Sequence, residues 1–294
     1  MAPCTGHLMY RSLLWLSLLI IGYSVAGLEQ NHAADKAKPT VRVSDVLTTP
    51  GAPVQLQAHV FQESLLGREL PLGGERLEFL VEGQVVGTSM TGGDGWAFLE
   101  FAPRMRGNLT VTVQITESPR VLSAEGSGLL ASWERKRPIL LIDVAAIMQE
   151  LNNPQQPIPS FPINLSLNAL GEADKEAPKE LEKLGQFYYN LMYVLRSEAV
   201  DKNVLQEWLQ THHFPPGFPK IIPSGPEALE ELISKLKEDG WVNIAGGVGR
   251  TAEFAETLVE HRMKVVILHD PEDKEGFPRR AILVGSWTKV RKHL

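Results

Sequence analysis

Pro138-Ile-Leu-Leu-Ile-Asp143 sets four consecutive aliphatic residues between a proline and a carboxylate. An unbroken apolar run of this length, with no polar alternation, fits a strand covered on both faces, as in a parallel sheet. Downstream the pattern switches repeatedly between helix and strand. A charged helix near 175 to 184 precedes an aromatic-rich strand at 187 to 195, and an amphipathic helix follows at 198 to 211. Past the proline loop Phe214-Pro-Pro-Gly-Phe-Pro219, Ser224 and Glu227 have capping-box spacing for a helix running to about Asp239. A strand at 241 to 245, the run Gly246-Gly-Val-Gly249, a helix at 252 to 262, a strand at 264 to 268 and a last short strand from Ala281 to Val284 complete the series. Repeated βα order predicts a three-layer, doubly wound parallel α/β domain over 138 to 294.

Upstream of Pro138 the grammar is different. Val54-Gln-Leu-Gln-Ala-His-Val60, Leu77-Glu-Phe-Leu-Val81 and Leu109-Thr-Val-Thr-Val113 alternate with period two, so one face of each is buried and the other is wet. Gly73-Gly74, Glu82-Gly83, Gly92-Gly-Asp-Gly95 and Arg106-Gly-Asn108 supply turns between them. Antiparallel strands of an all-β sandwich over 40 to 118 are expected. Gly87-Thr-Ser-Met-Thr-Gly-Gly-Asp-Gly-Trp-Ala-Phe98 and Gly107-Asn-Leu-Thr-Val-Thr-Val113 resemble the late hairpin and closing strand of bacterial immunoglobulin-like modules. Phe79, Trp96, Phe98 and Phe101 are expected in its core rather than in an exposed aromatic patch. Residues 116 to 137 carry one more strand and the linker, set at 119 to 137.

At the N-terminus, Arg11 precedes the apolar run Leu13 to Ile21, and Ser24-Val-Ala26 has the small residues of a cleavage site. Residues 1 to 26 therefore read as a secretory signal, with a solvated linker at 27 to 39. The run is shorter than the roughly 20 residues of a spanning helix, so an uncleaved anchor is the second choice, and membrane contact is expected only through that segment. The expected address is periplasmic or secreted. The single cysteine, Cys4, lies inside the signal, so the mature part has no thiol chemistry and no disulfide. The formal charge of −6 and the lack of a dense basic cluster beyond Glu134-Arg-Lys-Arg137 and the last few residues argue against nucleic acid as a partner. The basic tail Lys289, Arg291, Lys292 and His293 reads as a solvated terminus.

Leu191-Met-Tyr-Val-Leu-Arg-Ser-Glu198, followed by Glu207-Trp-Leu-Gln-Thr-His-His-Phe-Pro-Pro-Gly217, resembles the lipin-like and actin-patch phosphatidate phosphatase branch of the haloacid dehalogenase (HAD) superfamily. The resemblance covers about 138 to 270. It implies an aspartate nucleophile at the end of the first strand, which is Asp143. A second aspartate is implied two residues on, where Ala145 stands, followed by a hydroxyl residue where Ile147 stands. It further implies a phosphate-binding Thr or Ser, matched here by Leu195. A lysine follows, for which Lys235 and Lys237 are the candidates, and then magnesium-binding acids, matched by Val248 and Ala252. One carboxylate is a poor Mg²⁺ site, and without the metal its repulsion of a phosphate dianion is uncompensated.

The reading is therefore an exported, non-catalytic binding or interaction protein, a pseudoenzyme with no cofactor and an unidentified protein or small-molecule ligand. The alternative is a divergent phosphohydrolase for phosphate esters or lipid phosphates. It would use Asp143 as nucleophile, with Mg²⁺ and with acids drawn from Asp174 or Asp270. A competing site is an anion-binding glycine turn formed by Gly246, Gly247, Gly249, Arg250 and Thr251. Against it, a glycine turn packing a helix tightly on a strand is the plainer explanation. His212 and His213 are adjacent and point apart, so they are expected to be structural. His269, Asp270, Glu272 and Asp273 read as a solvated acidic loop.

Overall fold

The computed structural model describes residues 36–64, 66–116, 118–149 and 170–294. The segment 1 to 26, expected to be a secretory signal, and the proline-rich stretch at 154 to 162 lie outside them. Among the described residues three sheets form. Two face each other across one core. The first joins β1 (Thr40–Val43), β3 (Val54–Glu63), β4 (Glu69–Pro71) and β7 (Trp96–Phe101). The second has the order β2 (Val46–Thr48), β9 (Glu125–Ser132), β8 (Gly107–Ile115), β5 (Arg76–Val81), β6 (Gln84–Met90). Alternating residues such as Leu56, Ala58 and Val60 of β3 and Leu77, Phe79 and Val81 of β5 fill the space between them, as period-two patterning requires. Of the four aromatic residues expected inside, Phe79 is fully buried and Phe101 packs partly against the core. Phe98 is 46% exposed. It stands on the outer face, in a ring stack with Trp96 and His59.

The strand expected between 116 and 137 is β9. It pairs with β8 along its length and with β2 in parallel, so the sandwich continues to Ser132 and the connection to the next domain is short. At that junction Trp133 is 3% exposed and lies edge-on to Phe218 and Trp241 of the second domain, with its indole N–H donating to Asn108 Oδ1. Lys202 adds a tie from the other side, its ammonium 2.8 Å from both Asp45 Oδ1 and the Val43 carbonyl.

The third sheet is wholly parallel, in the order β12 (Phe218–Ile222), β11 (Asn190–Arg196), β10 (Ile139–Asp143), β13 (Ile244–Gly249), β14 (Lys264–Leu268), β15 (Ile282–Val284). The chain steps outward one way from β10 and then returns to add strands on its other side. The direction of winding therefore reverses between β10 and β13, where open α/β sheets take their ligands. All five residues of β10 are buried. Leu140 and Ile142 join one core with α1 (Val144–Ile147), α2 (Ala177–Phe187), α3 (Lys202–Thr211) and α6 (Trp287–Val290). Ile139 and Leu141 join the other with α4 (Pro226–Glu238) and α5 (Ala252–Glu260). Helices thus cover both faces, the reason the strand has no polar alternation.

Several boundaries differ from the sequence reading. Phe187 belongs to the end of α2, and β11 starts at Asn190. Phe218 and Pro219, read as loop, begin edge strand β12, where the missing proline N–H costs little. The capping box does not form: Gly225 is the N-cap of α4, with no side-chain hydrogen bond, and Pro226 starts the helix. Among the described residues no helix is long and apolar enough to cross a membrane.

Candidate functional site

Asp143 ends β10 and caps α1, its Oδ1 accepting the Ala145 N–H at 3.2 Å. The tight strand-to-helix passage leaves the carboxylate 3% exposed at the reversal point of the sheet. Parallel pairing sets Val194 of β11 level with Asp143. Arg196 lies two residues further on and so on the same face of the sheet. Its guanidinium reaches Asp143 Oδ2 at 3.5 Å, Glu253 Oε2 at 2.9 Å and Thr251 Oγ1 at 2.7 Å. Thr251 in turn caps α5 through the Phe254 N–H. Oδ2 of Asp143 accepts no hydrogen bond among the described residues. Burial pushes the Asp143 carboxyl above its ordinary value, opposed by the Arg196 charge, by the N–H groups of Ala145 and Arg250 and by the Arg250 charge.

The remaining positions implied by the phosphatase resemblance lie elsewhere or carry no suitable group. Leu195 and Val248 are in the core shared with α1 to α3 and α6, Ala145 contributes only its N–H, and Ala252 opens α5. Lys235 and Lys237 sit in the last turn of α4 and engage Asp239 and His261. Arg135, which precedes β10, donates to the Asp239 carbonyl just past that helix. The two lysines therefore lie at the N-terminal edge of the sheet, opposite Asp143. Asp174 spends Oδ1 on the N–H groups of Glu176 and Ala177, and Asp270 accepts the Glu272 N–H. Both line a crevice of about 700 Å³ with Arg250, His269 and Ser286, and Asp143 is not part of its wall. Among the described residues no group of three His, Cys, Asp or Glu is placed to hold a metal. A carboxylate facing a guanidinium and two backbone N–H groups does not fit Mg²⁺, which needs several hard oxygens.

The glycine run is a strand and not a turn. Gly246, Gly247 and Gly249 lie in β13; Gly246 and Gly247 pair with β10 on one side and β14 on the other, and Gly249 pairs with β14, so the run belongs to the ladder. A Cβ on Gly247 would stand 2.7 Å from both Leu258 and Phe254, one on Gly249 would collide with the Phe254 ring, and one on Gly246 with the Lys264 carbonyl. Small residues here let α5 pack on β13. Arg250 and Thr251 do reach the Asp143 cluster. Arg250 brings its N–H to Asp143 and turns its guanidinium to the Met148 carbonyl, at 3.2 Å.

The histidines take structural places. His212 packs on Trp208, and His213 contacts the Thr211 carbonyl from a left-handed backbone conformation. His269 pairs with Asp273 in the acidic loop. Trp208 is buried, stacks on Phe214 and donates to the Gly171 carbonyl, so Trp208, Leu209 and Phe214 of that motif serve the core. Arg196 is the residue that motif matching passed over. Its signal was its position two past the level of the strand-end aspartate, with matching side-chain parity.

No family model matches the chain, and no curated protein matches it in sequence. Among solved structures, the fibronectin(III)-like modules of Clostridium thermocellum CbhA are similar over 33% of this chain and 47% of theirs, at 20% identity and a TM-score of 0.25. The titin M3 domain is similar over 33% of this chain and 97% of its own, at 13% identity and a TM-score of 0.23. The CARDB domain of the Pyrococcus furiosus PF1109 protein is similar over 32% of this chain and 94% of its own, at 14% identity and a TM-score of 0.22.

Proposed function

We propose that this is an exported, non-hydrolytic interaction protein, in which a β-sandwich of immunoglobulin-like kind carries a degenerate HAD-like α/β domain. The observation supporting this reading is the surroundings of Asp143. The one residue matching a nucleophile is 3% exposed and ion-paired to Arg196, a guanidinium it shares with Glu253, and among the described residues no group of three His, Cys, Asp or Glu is placed to hold a metal. In-line attack on phosphorus needs an accessible carboxylate, an acid for the leaving group and a cation to screen the dianion. Here the nearest cation is already shared between Asp143 and Glu253. Trp133 and Lys202 hold the sandwich on the α/β domain, which suits a protein presenting a fixed surface to a partner.

The test is hydrolysis of p-nitrophenyl phosphate and of phosphatidate by purified protein with Mg²⁺, beside Asp143→Asn. The expected result is no turnover above buffer in either protein. Mg²⁺-dependent hydrolysis that disappears in Asp143→Asn would establish the phosphohydrolase alternative in its place.

A further inference from the structure

We infer that the Arg196 guanidinium is the resident cation at the switch point of the sheet, seated between Asp143 and Glu253 where the ends of β10, β11 and β13 converge. The inference rests on the non-hydrolytic reading above and states what the site uses to balance its buried charge. Arg196 is anchored on a strand and its side chain is 15% exposed. It reaches a buried carboxylate at 3.5 Å, a surface carboxylate at 2.9 Å and the helix-capping hydroxyl of Thr251 at 2.7 Å. Three chain segments are thereby joined through one planar group, a geometry that suits a guanidinium and not a point-like ammonium. Arg250 is the other nearby cation, and its guanidinium turns to the Met148 carbonyl. Among the charges acting on Asp143, that of Arg196 opposes the effect of burial most. A covalently attached cation needs no recruitment from solvent, so the α/β domain holds its strand ends together whether or not divalent ions are present.

The experiment is thermal unfolding of the full chain in EDTA, in millimolar Mg²⁺ or Mn²⁺, and in millimolar methylguanidinium. The proteins are wild type, Arg196→Ala, Arg196→Gln and the Arg196→Ala, Asp143→Asn double variant. Wild type should melt at the same temperature under all conditions. Arg196→Ala should melt lower and recover part of the loss with methylguanidinium or with divalent ions, through the freed Asp143 and Glu253 carboxylates. The recovery should vanish in the double variant. Arg196→Gln keeps a polar head without the charge and gives the same readout should the alanine variant fail to fold. An Arg196 variant that melts like wild type, or that responds to neither cation, overturns the assignment while leaving the absence of hydrolysis standing. An Asp143-dependent rise of the wild-type melting temperature with Mg²⁺ overturns it too.

Discussion

Replacing Asp143 by Asn should change how stability depends on pH, with a sign and a limiting slope set by the site. Burial raises the Asp143 carboxyl above the ordinary value of 3.8. Between that value and its folded pKa, the native state holds a proton that the unfolded chain has released. Stability in this window therefore falls as pH rises, and a single proton limits the slope to about 1.4 kcal/mol per pH unit. Asparagine keeps the shape and does not titrate. The stability difference, variant minus wild type, should climb from about pH 4 upward and level off once wild-type Asp143 is ionised. Glu69 acts in the opposite sense, since its hydrogen bond to Arg42 lowers its pKa, but it is common to both proteins and cancels in the difference. Urea titrations followed by tryptophan fluorescence at steps from pH 4 to 8 measure the effect, and urea leaves the ion pairs unscreened. Parallel curves, or a difference that shrinks as pH rises, would refute the claim that this carboxylate is destabilised by burial.

Gly249→Ala should cost about 1–3 kcal/mol by overpacking, because its Cβ collides with the Phe254 ring, and urea midpoints at constant m-value would show it. Trp133→Ala should cost about 3–5 kcal/mol and separate the unfolding of the two domains, seen as two calorimetric transitions in place of one. Lys202→Ala should cost about 1–3 kcal/mol by leaving Asp45, whose side chain is 7% exposed, without its ammonium partner. The double change Lys202→Ala, Asp45→Asn should recover part of that loss in the same titration.

Local chemistry carried much of the architecture into the sequence. Period-two alternation in Val54 to Val60 and Leu77 to Val81 placed one face of each strand against a core, and these residues do line it. The unbroken run Ile139 to Ile142 signalled a strand covered on both faces, and its residues divide between two cores. Cysteine placement and charge are likewise properties of composition. Elements with competing local signals were misplaced: Ser224 has cap chemistry, yet the proline at the first helical position made Gly225 the cap. Gly246 to Gly249 reads as a turn by composition, but pairing with β10 as far as Val248 and with β14 as far as Gly249 makes it a strand, and the close approach of Lys264 to Gly246 and of Phe254 to Gly247 and Gly249 is what demands glycine. The site itself depended on register. Asp143 could be picked out as a carboxylate ending a buried strand, whereas its partnership with Arg196, Thr251 and Glu253 exists only because parallel pairing brings three distant strand ends together. Sequence spacing carries no record of which strands become neighbours, so the charge balance of a buried carboxylate is decided by tertiary structure.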